Sequence, residues 1–116
     1  MDYLLLIYEE EKVARAGSPD PEELAAYRAF NAFVQSTGKL KGGEALQDTS
    51  TAKTVRVRND ETLTIDGPFA ETKEQLGGFY MIEADDIDEA TEIAARIPAA
   101  KTGCIEVRPI WKFPQN

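Results

Sequence analysis

Apolar residues run unbroken from Tyr3 to Tyr8. As a strand they divide into Tyr3, Leu5 and Ile7 on one face and Leu4, Leu6 and Tyr8 on the other, and a strand apolar on both faces belongs in the middle of a sheet. Phe79–Ala84 repeats the pattern, with Phe79, Met81 and Glu83 set against Tyr80, Ile82 and Ala84. Lys39–Leu46 reads as a further strand with Gly42-Gly43 inside it, a mark of a bulge or of close backbone approach. Lys53–Arg58 and Thr62–Asp66 alternate with period two around Asn59-Asp60-Glu61, which predicts a hairpin because Asn and Asp tolerate positive φ. In Cys104–Trp111, Ile105 and Val107 point one way while Cys104, Glu106, Arg108 and Ile110 point the other. Pro109 and Pro114 mark that strand as an edge or a strand end.

Two segments carry helical period instead. After a polar turn over Glu9–Lys12 and a break at Gly17-Ser18-Pro19, Asp20-Pro21-Glu22-Glu23 combines a capping Asp, a Pro at the first helical position and a Glu in capping-box register. The helix is expected to run to Ser36, with Ala26, Tyr27, Phe30, Phe33 and Val34 on its buried face and Gly38 as its stop. The second helix opens at Asp85-Asp86, with Asp86 and Glu89 in capping register. It buries Ile87, Ala90, Ile93, Ala94 and Ile97, can pair Glu92 with Arg96, and ends at Pro98.

The order β-α-β-hairpin-β-α-β describes one α+β domain over residues 1–116. Two helices reached by right-handed crossovers cover a single face of the antiparallel sheet. The two doubly apolar strands then need a cover on the other face, and a second copy of the chain related by twofold symmetry supplies it. Between the copies, Arg56, Tyr80 or Tyr8, Glu106 and Arg108 meet in a partly enclosed cleft, with Glu44 as a further candidate on its glycine-rich strand. Arg56, Tyr80, Arg108 and Glu44 are the expected ligand-binding set.

Charge narrows the partners. The chain of 116 residues has 21 acidic and 13 basic side chains, net −8. Residues 1–58 hold 9 acids and 8 bases, whereas residues 59–116 hold 12 acids and 5 bases. Nucleic acid and an anionic membrane surface are disfavoured, since both require clustered Lys and Arg. Asp85, Asp86, Asp88 and Glu89 concentrate in one helical first turn, where the helix dipole favours them. There is no histidine and a single cysteine, Cys104, so no metal-ligand spacing and no internal disulfide exist, and no cofactor is implied. The short apolar N-terminal run without a basic flank reads as neither signal peptide nor membrane span, and a cytoplasmic protein is expected.

The densest stretch is Asp66-Gly67-Pro68-Phe69-Ala70-Glu71-Thr72-Lys73-Glu74-Gln75-Leu76-Gly77-Gly78-Phe79-Tyr80. Asp66-Gly67-Pro68 is a turn, Phe69 a plug for the core, Gly77-Gly78 a close backbone approach and Ala70–Gln75 the loop left for chemistry. With no histidine, an enzyme would draw its acid and base from carboxylate, Lys or Tyr, and Asp66, Glu71 and Lys73 are the catalytic candidates.

This stretch, with Thr54-Val55-Arg56-Val57-Arg58 before it and Ile105-Glu106-Val107-Arg108-Pro109 after it, resembles the DGPF branch of the YCII-related proteins. The likeness extends from Tyr3-Leu4-Leu5-Leu6-Ile7-Tyr8 through Gly42-Gly43-Glu44-Ala45-Leu46 to Ala94-Ala95-Arg96-Ile97-Pro98. It implies a ferredoxin-like βαββαβ fold with an extra hairpin, paired into a dimeric α+β barrel. It also implies a largely uncharacterised biochemical role and, through some members, a regulatory link to sigma factors. YCII proteins proper are proposed to use a His-Asp pair; spacing from Gly42-Gly43 puts those positions near Tyr27 and Gly38, so the pair does not carry over. Three readings follow: a homodimer binding a small polar or anionic molecule in the cleft between subunits, a metal-free isomerase or lyase, and an acidic protein-interaction module.

Overall fold

The computed structural model describes residues 1–11 and 20–114; the break read at Gly17-Ser18-Pro19 and the last residue of the Glu9–Lys12 turn lie outside them. Strand β1 (Asp2–Glu10) leads to helix α1 (Pro21–Ser36) and strand β2 (Leu40–Ala45). A hairpin follows, β3 (Lys53–Arg58) and β4 (Glu61–Asp66), then β5 (Glu74–Glu83), α2 (Ile87–Ala94) and β6 (Cys104–Pro109). β2, β5, β1 and β6 form one antiparallel sheet in that order, and among the described residues β3 and β4 pair only with each other. The fold is α+β, and the single chain closes no barrel.

The two strands that read as apolar on both faces, β1 and β5, are the two central ones. Their register sets Tyr3 opposite Ile82, Leu5 opposite Tyr80 and Ile7 opposite Gly78. This face is packed: Tyr3, Leu5, Ile7 and Ile82 are buried with Phe30 and Val34 of α1 and Ala90, Ile93 and Ala94 of α2. The opposite face pairs Leu4 with Met81 and Leu6 with Phe79 and continues onto Glu106 and Arg108 of β6. Its four apolar side chains stay partly exposed, because both helices are on the other side.

The helix ends follow their capping residues. The Asp20 carboxylate accepts from the Glu22 amide at 3.0 Å, and Gly38 takes φ +70° immediately after the C-cap Thr37. The Asp86 carboxylate accepts from the Glu89 amide at 2.9 Å, while Glu89 accepts from the Asp85 amide at 2.9 Å. Hairpin residues Asn59 and Asp60 both have positive φ, 51° and 63°, as a two-residue turn of this hand demands.

Several expectations need correcting. β5 begins at Glu74, so Glu74 and Gln75, read as loop, already pair with β1 opposite Glu10 and Glu9, and Leu76 continues the strand opposite Tyr8. The pairing partner, not the local composition, decides this. Phe69 is no plug; it is 76% exposed, with the Arg56 guanidinium 5.2 Å from its ring centre. Ile87 and Ala26 are exposed, because α2 is short and tilts its buried stripe from Ala90 onward while α1 meets the core through Phe30 and Val34. Arg96 lies over the Phe33 ring at 4.2 Å, where a pair with Glu92 was expected.

Candidate functional site

Glu23, Tyr27, Asn31 and Gln35 recur every four residues along α1 and form a polar ridge beside its buried stripe. Beneath that ridge, the sheet presents small residues at Gly43 and Ala45 of β2 and at Gly78 of β5. Gly43 sits opposite Tyr80, and Ala45 opposite Gly78. A Cβ on Gly43 would come within 2.7 Å of the Phe79 carbonyl oxygen, and one on Gly78 within 2.9 Å of the Glu44 carbonyl oxygen. The glycines therefore let the two backbones pack tightly, and they leave the sheet bare just where α1 presents its ridge. The result is a cavity of about 590 Å³ with the α1 ridge on one side, Gly43, Ala45 and Gly78 on the other, and Glu9, Glu44 and Tyr80 completing its lining.

The Tyr80 hydroxyl donates to Asn31 Oδ1 at 2.9 Å, and its ring meets Phe30 edge-on at 5.0 Å between centres. Burial raises the Tyr80 phenol above its ordinary value. Tyr27, shared between this cavity and a groove of about 720 Å³ between α1 and the α2–β6 connection, is pushed up to about 12. Burial is the largest cause, followed by the negative fields of Glu9, Tyr80 and Glu23, while an Ala99 backbone hydrogen bond works in the opposite direction. Both phenols are therefore held as neutral hydrogen-bonding groups at ordinary pH. Glu9 and Glu23 bring carboxyl groups to the lining; Glu44 borders it too, but its register opposite Phe79 turns its side chain to the uncovered sheet face, and no described lining residue is Lys or Arg.

Of the residues singled out in the sequence, Tyr80 lines this cavity with its side chain, while Glu44, opposite Phe79 in the β2–β5 register, borders it by its backbone and carries its carboxylate on the other sheet face. Arg56 stacks on Phe69 beside the hairpin. Arg108 is on the uncovered sheet face, where its Nε donates to Glu106 Oε2 at 2.9 Å and Tyr8 donates to Glu106 Oε1 at 3.4 Å. That ion pair raises the Arg108 value further. Arg108 and Tyr80 thus lie on opposite faces of one sheet. The Asp66 carboxylate is exposed and pairs with Lys53 at 3.3 Å, Lys73 pairs with Glu10 at 3.1 Å, and Glu71 is exposed. None of the three lines the cavity. The intervening loop is held by its own polar groups: Gln75 Nε2 donates to the Ala70 and Thr72 carbonyls, and Thr72 Oγ1 to the Glu74 carbonyl.

Sequence reasoning passed over Glu9, Asn31 and Gln35. The available signal was the four-residue spacing of Glu23, Tyr27, Asn31 and Gln35 together with the two double glycines, which marks a polar helix ridge above a floor without side chains. Among the described residues, no group of three or more His, Cys, Asp or Glu is arranged to hold a metal ion. No described helix is long and apolar enough to cross a membrane.

The sequence of a YCII-related domain matches residues 1–114. A protein of Rhizobium meliloti (strain 1021), named only as uncharacterised, is 40% identical over 114 residues, covering 95% of this chain and 92% of its own. A family match over nearly the whole chain and a relative of that identity and coverage carry the same conclusion: the chain belongs to the YCII-related family.

Proposed function

We propose that this protein is a homodimeric binder of a small polar molecule, with one pocket per subunit between α1 and the β2–β5 end of the sheet. The cavity of about 590 Å³ carries the reading. It falls inside the roughly 300–1,000 Å³ range of small-molecule sites and joins apolar walls to a few convergent polar groups. Its lining favours a neutral or cationic ligand over an anion. Glu9 and Glu23 would repel a carboxylate or phosphate. The two tyrosines offer hydroxyl groups and ring faces, and the latter attract an ammonium group. Arg56 and Arg108, the groups suited to an anion, are elsewhere.

The dimer is supported by the uncovered sheet face. Leu4, Leu6, Phe79 and Met81 form an apolar centre, flanked by the Arg108–Glu106 pair and by Asp2 with Lys41 and Lys112. An apolar centre with a charged rim of both signs is the anatomy of a self-complementary interface. The element order and the strand order β2-β5-β1-β6 suit a ferredoxin-like βαββαβ unit carrying an inserted hairpin, and face-to-face pairing of two such units makes a dimeric α+β barrel.

A thermal-shift screen of parallel amine, amide, polyol and carboxylate sets tests the pocket. The expected outcome is a stabiliser from the amine, amide or polyol set whose effect disappears in Asn31→Ala and Gln35→Ala. Stabilisation confined to carboxylates, or surviving both substitutions, refutes the assignment.

A further inference from the structure

The β3–β4 ribbon lacks what a hairpin needs. Neither strand hydrogen-bonds to the four-stranded sheet. Every residue of β4 is exposed, and every residue of β3 except Thr54. Two-stranded hairpins alone in water are marginal; they persist when packed on something else. This one also exposes apolar groups on both faces. Val55 and Val57 project from one side at 60% and 58% exposure, and Leu63 and Ile65 from the other at 44% and 57%. Its base, by contrast, is firmly fixed. Thr54 Oγ1 donates to the Gly67 carbonyl at 2.9 Å, and the Gly67 amide to the Ala52 carbonyl at 2.8 Å, with Gly67 at φ +105°. Among the described residues, the ribbon is held at its root and has no sheet partner along its length. The radius of gyration, 16.4 Å, exceeds the roughly 13 Å of a compact chain this long.

We propose that the β3–β4 ribbon is an intersubunit arm that packs against a second copy of this chain. Charge selects that occupant. Residues 53–66 hold three bases, Lys53, Arg56 and Arg58, and three acids, Asp60, Glu61 and Asp66, a balance of zero in a chain of net −8. The uncovered sheet face carries its charges in near balance, Asp2, Glu44, Glu83 and Glu106 against Lys41, Arg108 and Lys112, with ion pairs joining Asp2 to both lysines and Glu106 to Arg108. Most of the acidic excess is carried elsewhere, so through these surfaces an acidic chain can meet its own copy with little repulsion. A basic partner would be drawn to the acidic surfaces instead.

Area points the same way. Val55, Val57, Leu63, Ile65 and Phe69 together expose on the order of 500 Å², comparable with the whole of the largest apolar patch on a typical monomer. The partly exposed Leu4, Leu6, Phe79 and Met81 of the uncovered sheet face add to this, in the direction of the roughly 800 Å² per partner of a stable interface.

The inference rests on the homodimer proposed above, and sedimentation equilibrium separates the two. The full chain is compared with a quadruple variant, Val55→Thr, Val57→Thr, Leu63→Thr and Ile65→Thr, which keeps β-forming residues while removing apolar surface. The expected result is a dimer weakened at least about 100-fold, with an unchanged circular dichroism spectrum. A wild-type monomer at all concentrations overturns both the dimer and the arm. A variant that dimerises as tightly as wild type overturns the arm alone. Should the variant fail to fold, amide hydrogen exchange of the wild-type ribbon decides: protection that rises with protein concentration across the dissociation range is expected, and protection independent of concentration overturns the proposal.

Discussion

Gly42 and Gly43 are adjacent in sequence and opposite in consequence. Alanine at Gly42 places its Cβ in open space, with no atom within 4 Å. The substitution removes backbone freedom from the unfolded chain and is expected to stabilise by about 0.4–1 kcal/mol. Alanine at Gly43 gains the same entropy, but its Cβ arrives 2.7 Å from the Phe79 carbonyl oxygen, 3.0 Å from Tyr80 Cδ1 and 3.2 Å from Tyr80 Cα. Two of these neighbours are backbone on a central strand, so the edge strand β2 must retreat by several tenths of an ångström. Overpacking of this kind costs about 1–3 kcal/mol, which leaves a net loss of about 1–2 kcal/mol after the entropic gain. The two neighbours should therefore differ by roughly 2 kcal/mol, which separates their urea midpoints by about 1 M at a typical slope for a small domain. Equilibrium urea unfolding of Gly42→Ala and Gly43→Ala measures this directly, with equal slopes confirming that only stability has changed. Equal midpoints would refute the close approach, and with it the account of why the cavity floor is bare.

Three further outcomes are expected. Leu5→Ala removes a fully buried side chain from the central strand and should cost about 2–5 kcal/mol in the same assay, whereas a loss under 1 kcal/mol would mean the core packs differently. Asp86→Ala removes the N-cap bond to the Glu89 amide and should cost about 1 kcal/mol; no change in midpoint would show the cap to be idle. Tyr27 governs the alkaline limit. A phenol raised from 10.0 to about 12 holds its proton more tightly in the folded state, so its contribution is complete below pH 10 and lost as pH rises from 10 to 12. Absorbance titration of tyrosinate should lose its highest-pH phase in Tyr27→Phe, and persistence of that phase would reject the assignment.

The fold was legible where a physical requirement had one solution. A strand apolar on both faces has to be central, and β1 and β5 are. Asp20 and Asp86 sit where helices must start, and both cap. Asn59-Asp60 supplies two consecutive positive φ values, and the hairpin turns there. Legibility failed where a residue's fate depended on something distant. Phe69 looks like a core residue by type, but its loop runs beside the ribbon, away from any core, and its partner is Arg56. Glu74-Gln75 looks like loop by composition, yet β1 extends to Glu10 and recruits it as strand.

The candidate site failed for a related reason, with a sharper lesson about charge. Asp66, Glu71 and Lys73 drew attention as ionisable groups crowded into a short loop. Crowding along the chain, however, is no measure of burial, and two of these three find their ion partners on other strands at the surface. The same holds for the acidic start of α2: Asp86 caps the helix, while Glu89 is held below its ordinary value chiefly by its hydrogen bond from Lys39, so much of that acidity is spent on structure. A site needs polar groups that converge on enclosed space. Here that comes from residues unremarkable one by one, a ridge spaced four apart on α1, and from glycines whose contribution is the absence of a side chain. The cavity is therefore a property of α1 and the sheet together, and substitutions that fill the floor should abolish ligand binding as completely as those that remove the ridge.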